Sequence, residues 1–160
     1  MSRGLSHSCG PHSVEQFLRG KGAKARALFE RFVGLISACG PYHLAPAKTR
    51  VAFLASVRFA SVNRLSAASI DAHFVLPRTV ASPRFRRVER LGKLSVHHLR
   101  FTELRQMDDE VQQWLRQAYV EYGERRWLER PRAASTTVRP PSRTATRAKR
   151  HKAPQSRPEK

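Results

Sequence analysis

Seven histidines, two cysteines and twelve carboxylates are the side chains through which this chain could do acid–base or metal chemistry, and their spacing argues against most of it. His97 and His98 are neighbours in the alternating run from Ser95 to Phe101. On a strand they point to opposite faces, so they cannot share one metal ion. One belongs in the core and the other on the exposed face, or both lie near an edge. Both read as structural, because a neutral imidazole with one hydrogen bond is an ordinary strand residue. His73 and Asp71 share a strand face two residues apart. A base with an orienting carboxylate needs contact geometry that spacing alone does not supply. His7, Cys9 and His12 offer three zinc ligands without a fourth, in a loose segment. There is no Gly-rich phosphate loop, no Gly-x-Ser-x-Gly elbow and no carboxylate pair on one face. No catalytic residue, metal site or cofactor is expected.

The cations make a stronger pattern. Lys and Arg number 31 against 12 acids, a net charge of +19. Such an excess favours anionic partners, nucleic acid first. Residues 131–160 hold nine Lys/Arg and one acid, and residues 4–130 still carry +10, so the body is basic in its own right. Its densest cluster is Arg84, Arg86, Arg87, Arg90 and Lys93. Arg50 and Arg58 fall on the polar row of the alternating stretch Lys48 to Phe59 and can join that cluster across a sheet, forming a basic surface for phosphates. In the tail, Arg147, Lys149, Arg150 and Lys152 form a second basic element, suited to DNA or RNA without sequence preference.

These side chains need elements to hold them. In Lys48 to Phe59, the residues Val51, Phe53, Ala55, Val57 and Phe59 make an apolar row of period two, the signature of a half-buried antiparallel strand. The run is longer than an ordinary strand, so a bend or tight hairpin is expected near Ala55-Ser56. A one-residue bulge there would move Arg58 to the opposite face. Further strands are expected from Tyr42 to Ala45, Ser69 to Leu76 and Ser95 to Phe101. Ser13 and Gln16 fit a capping box, predicting a short helix to about Arg19. A second helix is predicted over Ala23 to Ala38 from the stripe Leu28, Phe29, Phe32, Val33 and Ile36. Asp108, Asp109 and Glu110 open the last helix, where its dipole favours acids, and Val111, Trp114, Leu115, Ala118 and Tyr122 line one side. Residues 79–93 read as a loop or short helical insert anchored by Phe85, Val88 and Leu91.

Several of these residues also carry a resemblance. Ser13-Val14-Glu15-Gln16-Phe17, Ala27-Leu28-Phe29, Gly40-Pro41, Lys48-Thr49-Arg50 and Arg58-Phe59-Ala60 occur in order. They are followed by Pro83 to Glu89, Val96-His97-His98-Leu99, Leu115-Arg116 and Ala118-Tyr119. With these the chain resembles a bacterial family, domain of unknown function 5655, over about residues 13–122. The resemblance implies a small α+β domain and no established activity.

The expected fold is therefore α+β, a small antiparallel sheet of three to five strands packed against two or three helices. Residues 1–12 and the Arg/Lys/Pro-rich residues 131–160 are expected to be disordered, flanking a domain at 13–130. Two cysteines make no secreted disulfide framework, and no run approaches a membrane span or a signal core, which points to the cytoplasm. The function expected is a non-catalytic nucleic-acid-associated module. The alternative is an interaction or scaffold module with an acidic protein partner.

Overall fold

The computed structural model describes residues 12–124, with element order helix, helix, six strands and a closing helix. Helix α1 (Val14–Leu18) starts with the expected capping box. The Gln16 amide donates to Ser13 Oγ at 3.1 Å, and the Ser13 amide donates to Gln16 Oε1 at 3.0 Å. Those two bonds satisfy amides that a helix start otherwise leaves unpaired. Helix α2 (Ala23–Ser37) buries Ala25, Leu28, Phe29, Phe32, Leu35 and Ile36 along one stripe. Helix α3 (Asp109–Ala118) is capped by Asp108, whose carboxylate accepts the Val111 amide at 3.2 Å. It buries Val111, Trp114, Leu115 and Ala118. A π-helical turn (Tyr119–Gly123) extends it.

The strands are β1 (His43–Pro46), β2 (Val51–Leu54), β3 (Arg58–Leu65), β4 (Ile70–Leu76), β5 (Arg87–Leu91) and β6 (Leu94–Phe101). They form one antiparallel sheet in the order β1-β2-β3-β4-β6-β5. Six strands exceed the three to five expected, and the additional one lies in the segment expected to be a loop or helical insert. Arg87–Leu91 is an edge strand joined to β6 by the two residues Gly92 and Lys93. Gly92 sits at a φ of 62°, the left-handed geometry that short hairpin turns favour and that glycine adopts without strain. The charges of Arg87, Glu89 and Arg90 suit an exposed edge, because they discourage pairing with another chain. Phe85, Val88 and Leu91 do not line up on a helix. Phe85 packs near Trp114, Val88 is half-buried, and Leu91 is 60% exposed.

One face of the sheet carries the core. Phe32 of α2 meets Phe53 and Phe101, and Trp114 of α3 stacks near Phe74. The turn after β2 is held from this side, since the amides of Ser56 and Val57 both donate to the carbonyl of Gly123, at 2.8 and 3.0 Å. Among the described residues no helix is long and apolar enough to cross a membrane. The expected disorder of residues 1–12 and 131–160 falls, apart from His12, outside the described residues.

Candidate anion-binding surface

Two irregularities in β3 decide what the other face of the sheet displays. Phe53 lies opposite Ala60 while Leu54 lies opposite Arg58, which makes Phe59 the extra residue of a bulge. Phe59 turns to the helix side, where its ring meets Tyr119 edge-on at 5.3 Å. Arg58 is exposed and shares the outer face with Leu54. A bulge placed at Phe59 therefore leaves Arg58 outward. The second irregularity falls between Val62 and Arg64, where Asn63 is extra. The Asn63 amide Nδ2 lies 2.7 Å from His73 Nδ1. An amide N–H donating to Nδ1 leaves the His73 proton on Nε2.

His73 sits at the centre of the outer face. It lies directly opposite His98 of β6, with the ring centroids 5.4 Å apart. His98 is in turn opposite Arg87 of β5. Burial pushes His73 down to about 4, and His98, Arg58 and Arg50 act in the same direction. Burial, and then Arg87, lower His98 as well. Both imidazoles are therefore neutral near pH 7, with cations on two flanks. His98 Nε2 is buried without a hydrogen-bond partner, 3.8 Å from Glu89. Asp71 does not orient His73. It is paired with Arg100, whose Nη2 donates at 2.7 Å, and this pairing holds its carboxyl below the usual range. Glu89 is paired with Arg87. Asp71, Arg86, Arg87, His98 and Arg100 line a cleft of about 230 Å³ on this face.

The expected cluster of Arg84, Arg86, Arg87, Arg90 and Lys93 is dispersed by the strand that replaces the insert. Arg86 and Arg87 reach the outer-face cleft. Arg90 is opposite Ser95, out of step with Arg87 along the strand, and Lys93 sits in the hairpin turn. Arg84 leaves the cluster altogether. Its Nη1 is 2.9 Å from Asp108 and 2.7 Å from Glu110, its Nη2 donates to the Gln106 carbonyl, and its guanidinium lies 5.6 Å from the Trp114 ring centre. These contacts bind the segment before β5 to the start of α3. The tail residues Arg147, Lys149, Arg150 and Lys152 lie outside the described residues.

His97 faces the core, fully buried. Its ring stacks on Phe74 at 5.0 Å, and its Nε2 accepts the Val80 amide at 3.0 Å. It fastens the segment after β4 and is not available to a substrate. His7 and Cys9 lie outside the described residues, among which no group of three or more His, Cys, Asp or Glu could hold a metal ion.

Sequence reasoning missed Asn63, Arg64, Lys21 and Lys48. A second cavity, of about 500 Å³, is lined by Phe17, Lys21, Lys48, Thr49, Asn63, Arg64, Leu65 and Ser66. Its parts come from three distant stretches, so spacing along the chain carried no sign of it.

Residues 14–120 match the domain of unknown function DUF5655. The chain belongs to the DUF5655 family. The match spans both outer-face flanks and every strand of the sheet. No curated protein and no solved structure matches the chain. The DUF5655 domain thus comes with a family and a fold, and the chemistry of its outer face rests on the residues described above.

Proposed function

We propose that the outer sheet face of this DUF5655 domain is a phosphate-binding surface for nucleic acid, and that the protein is a non-catalytic cytoplasmic module of a bacterial cell. One observation carries this reading. Arg50 and Arg58 on one flank and Arg86 and Arg87 on the other share a face with two neutral histidines, while Asp71 and Glu89 are each paired with an arginine. With Arg87 on Glu89 and Arg100 on Asp71, the face keeps a positive excess on Arg50, Arg58 and Arg86. Guanidinium groups pair well with phosphate oxygens, and contacts to the backbone position a nucleic acid without reading its bases. Among the described residues every Phe, Tyr and Trp packs in or against the core and the rings on this face are the imidazoles of His73 and His98, so the reading favours a duplex backbone. The basic tail adds a second, sequence-independent contribution.

An acidic protein would meet the same cations, so the deciding test concerns partner class. Full-length protein is used to capture partners from a bacterial lysate with and without nuclease treatment, and its binding to duplex DNA and duplex RNA is measured directly. Capture that disappears with nuclease, together with salt-sensitive duplex binding, supports the proposal. Capture of an acidic protein that survives nuclease, with no duplex binding at low salt, overturns it.

A further inference from the structure

We propose that the cavity at the β1–β2 end of the sheet is a site for a phosphate monoester carried on a nucleoside-sized body. The cavity forms where three segments meet. The turn between α1 and α2 brings Lys21, the turn between β1 and β2 brings Lys48 and Thr49, and the bulged end of β3 brings Asn63 and Arg64. Its volume of about 500 Å³ suits a small organic ligand.

Its charge is one-sided. Lys21, Lys48 and Arg64 line it, and no carboxylate does. Among the described residues none of these three cations is in an ion pair. The cleft beside His98 differs, because Asp71 lines it and is paired with Arg100. Arg64 is partly offset by Asp71, its cross-strand neighbour, but the three cations that line the cavity repel one another, and a bound dianion removes that repulsion. Phe17 and Leu65, both buried core residues, supply an apolar wall. A ligand that satisfies the whole cavity is thus anionic at one end and apolar or aromatic at the other.

The site is also held in shape before any ligand arrives. Arg26 donates from Nε to the Lys21 carbonyl and from Nη2 to the Leu18 carbonyl, both at 3.0 Å, which fixes the turn carrying Lys21. Gly20, at a φ of 71°, supplies the left-handed residue that this turn needs. Ser66 is locked by Ser69, its Oγ lying 2.8 Å from the Ser69 hydroxyl. Asn63 lines the cavity and is held by its hydrogen bond to His73. Preorganisation of this kind lowers the ordering cost of binding.

A phosphate monoester reaches such a cavity either as a free nucleotide or as the phosphorylated end of a strand, and one set of titrations separates the two. Amide shifts of the full-length protein are followed by NMR against adenosine 5′-monophosphate, adenosine, and a short oligonucleotide with and without a 5′-phosphate. The proposal predicts shifts at Lys21, Thr49, Asn63 and Ser66 with adenosine 5′-monophosphate at about millimolar concentration or below. Adenosine then binds at least about tenfold more weakly, and the exposed-residue double variant Lys48→Ala/Arg64→Ala weakens the nucleotide by about tenfold or more. A response to the 5′-phosphorylated oligonucleotide alone, lost in the same variant, assigns the phosphate to a strand end. Absence of these shifts with both phosphorylated probes, or shifts unchanged in the double variant, overturns the proposal. Arg58→Glu/Arg86→Glu, on the outer face, leaves nucleotide binding intact whether or not it weakens duplex binding, so the two proposals fail separately.

Discussion

His73 and His98 face each other across β4 and β6 with ring centroids 5.4 Å apart, one ring fixed by Asn63 and the other against Arg87. The pair is where the domain's two sheet flanks meet. Asp71, the carboxylate two residues before His73, is held by Arg100 and does not orient the ring.

That pair gives the domain a pH dependence. His73 is held down to about 4 in the fold, against an ordinary value of 6.5. Between those two values the unfolded chain takes up a proton that the folded chain refuses. The stability it contributes is complete above about pH 6.5 and is lost as pH falls towards 4. At pH 5 the loss from this residue is about 2 kcal/mol. Urea unfolding at pH 7 and pH 5 should show it, and His73→Gln should reduce the difference. Equal midpoints at the two pH values would contradict the account.

Much of the fold was legible because apolar residues kept their period. The α2 stripe, the capping box of α1 and the alternation through β4 and β6 all follow from local pattern. The edge strand β5 was harder to see. Phe85, Val88 and Leu91 fit a helical spacing, and the arginines between them hid the two-residue alternation of Arg87, Val88, Glu89. The Gly92-Lys93 pair between alternating runs was the available signal for a hairpin. The two bulges in β3 had no comparable signal, because they depend on partners in β2 and β4. The candidate site divides the same way. Arg50 and Arg58 could be assigned to a polar row, while Arg84 could be separated from Arg86 and Arg87 only by its contacts with Asp108, Glu110 and Trp114.

Arg84 should matter for stability and not for phosphate binding. Its contacts include two carboxylates, a backbone carbonyl and an aromatic face. The ion pairs are partly exposed and contribute little, so most of the effect comes from the carbonyl bond and the ring. Arg84→Ala should lower stability by about 1–3 kcal/mol in urea unfolding and leave duplex affinity near wild type. A fall in duplex affinity larger than that of an outer-face variant would place Arg84 back in the binding surface.

His97 supplies a test of the core reading. Replacing it with Phe preserves a ring against Phe74 but leaves the Val80 amide without its acceptor. The expected cost is about 1–3 kcal/mol, with faster amide exchange at Val80. An unchanged stability with Val80 still protected would show that the bond is not needed.

Gly40 gives a further stability test. A Cβ built there would lie 2.6 Å from the Tyr119 hydroxyl, and φ is 149°. That hydroxyl donates to the Pro41 carbonyl at 2.9 Å, so it cannot move away without breaking the bond. Gly40→Ala should cost about 1–3 kcal/mol, read as a lowered urea midpoint. A neutral substitution would mean that the Gly40 to Tyr119 contact yields easily.

The central claim is that arginines on two separate flanks of one sheet face act together on a phosphate backbone. The most direct measurement is the salt dependence of duplex DNA binding by the full-length protein, compared with Arg58→Glu, Arg86→Glu and the double variant. Each phosphate contact contributes about −0.9 to the slope of log affinity against log salt. The account predicts that each single variant flattens the slope by about 1 and weakens binding at low salt, and that the double variant loses both contributions. Slopes and affinities identical to wild type in all three variants would contradict it.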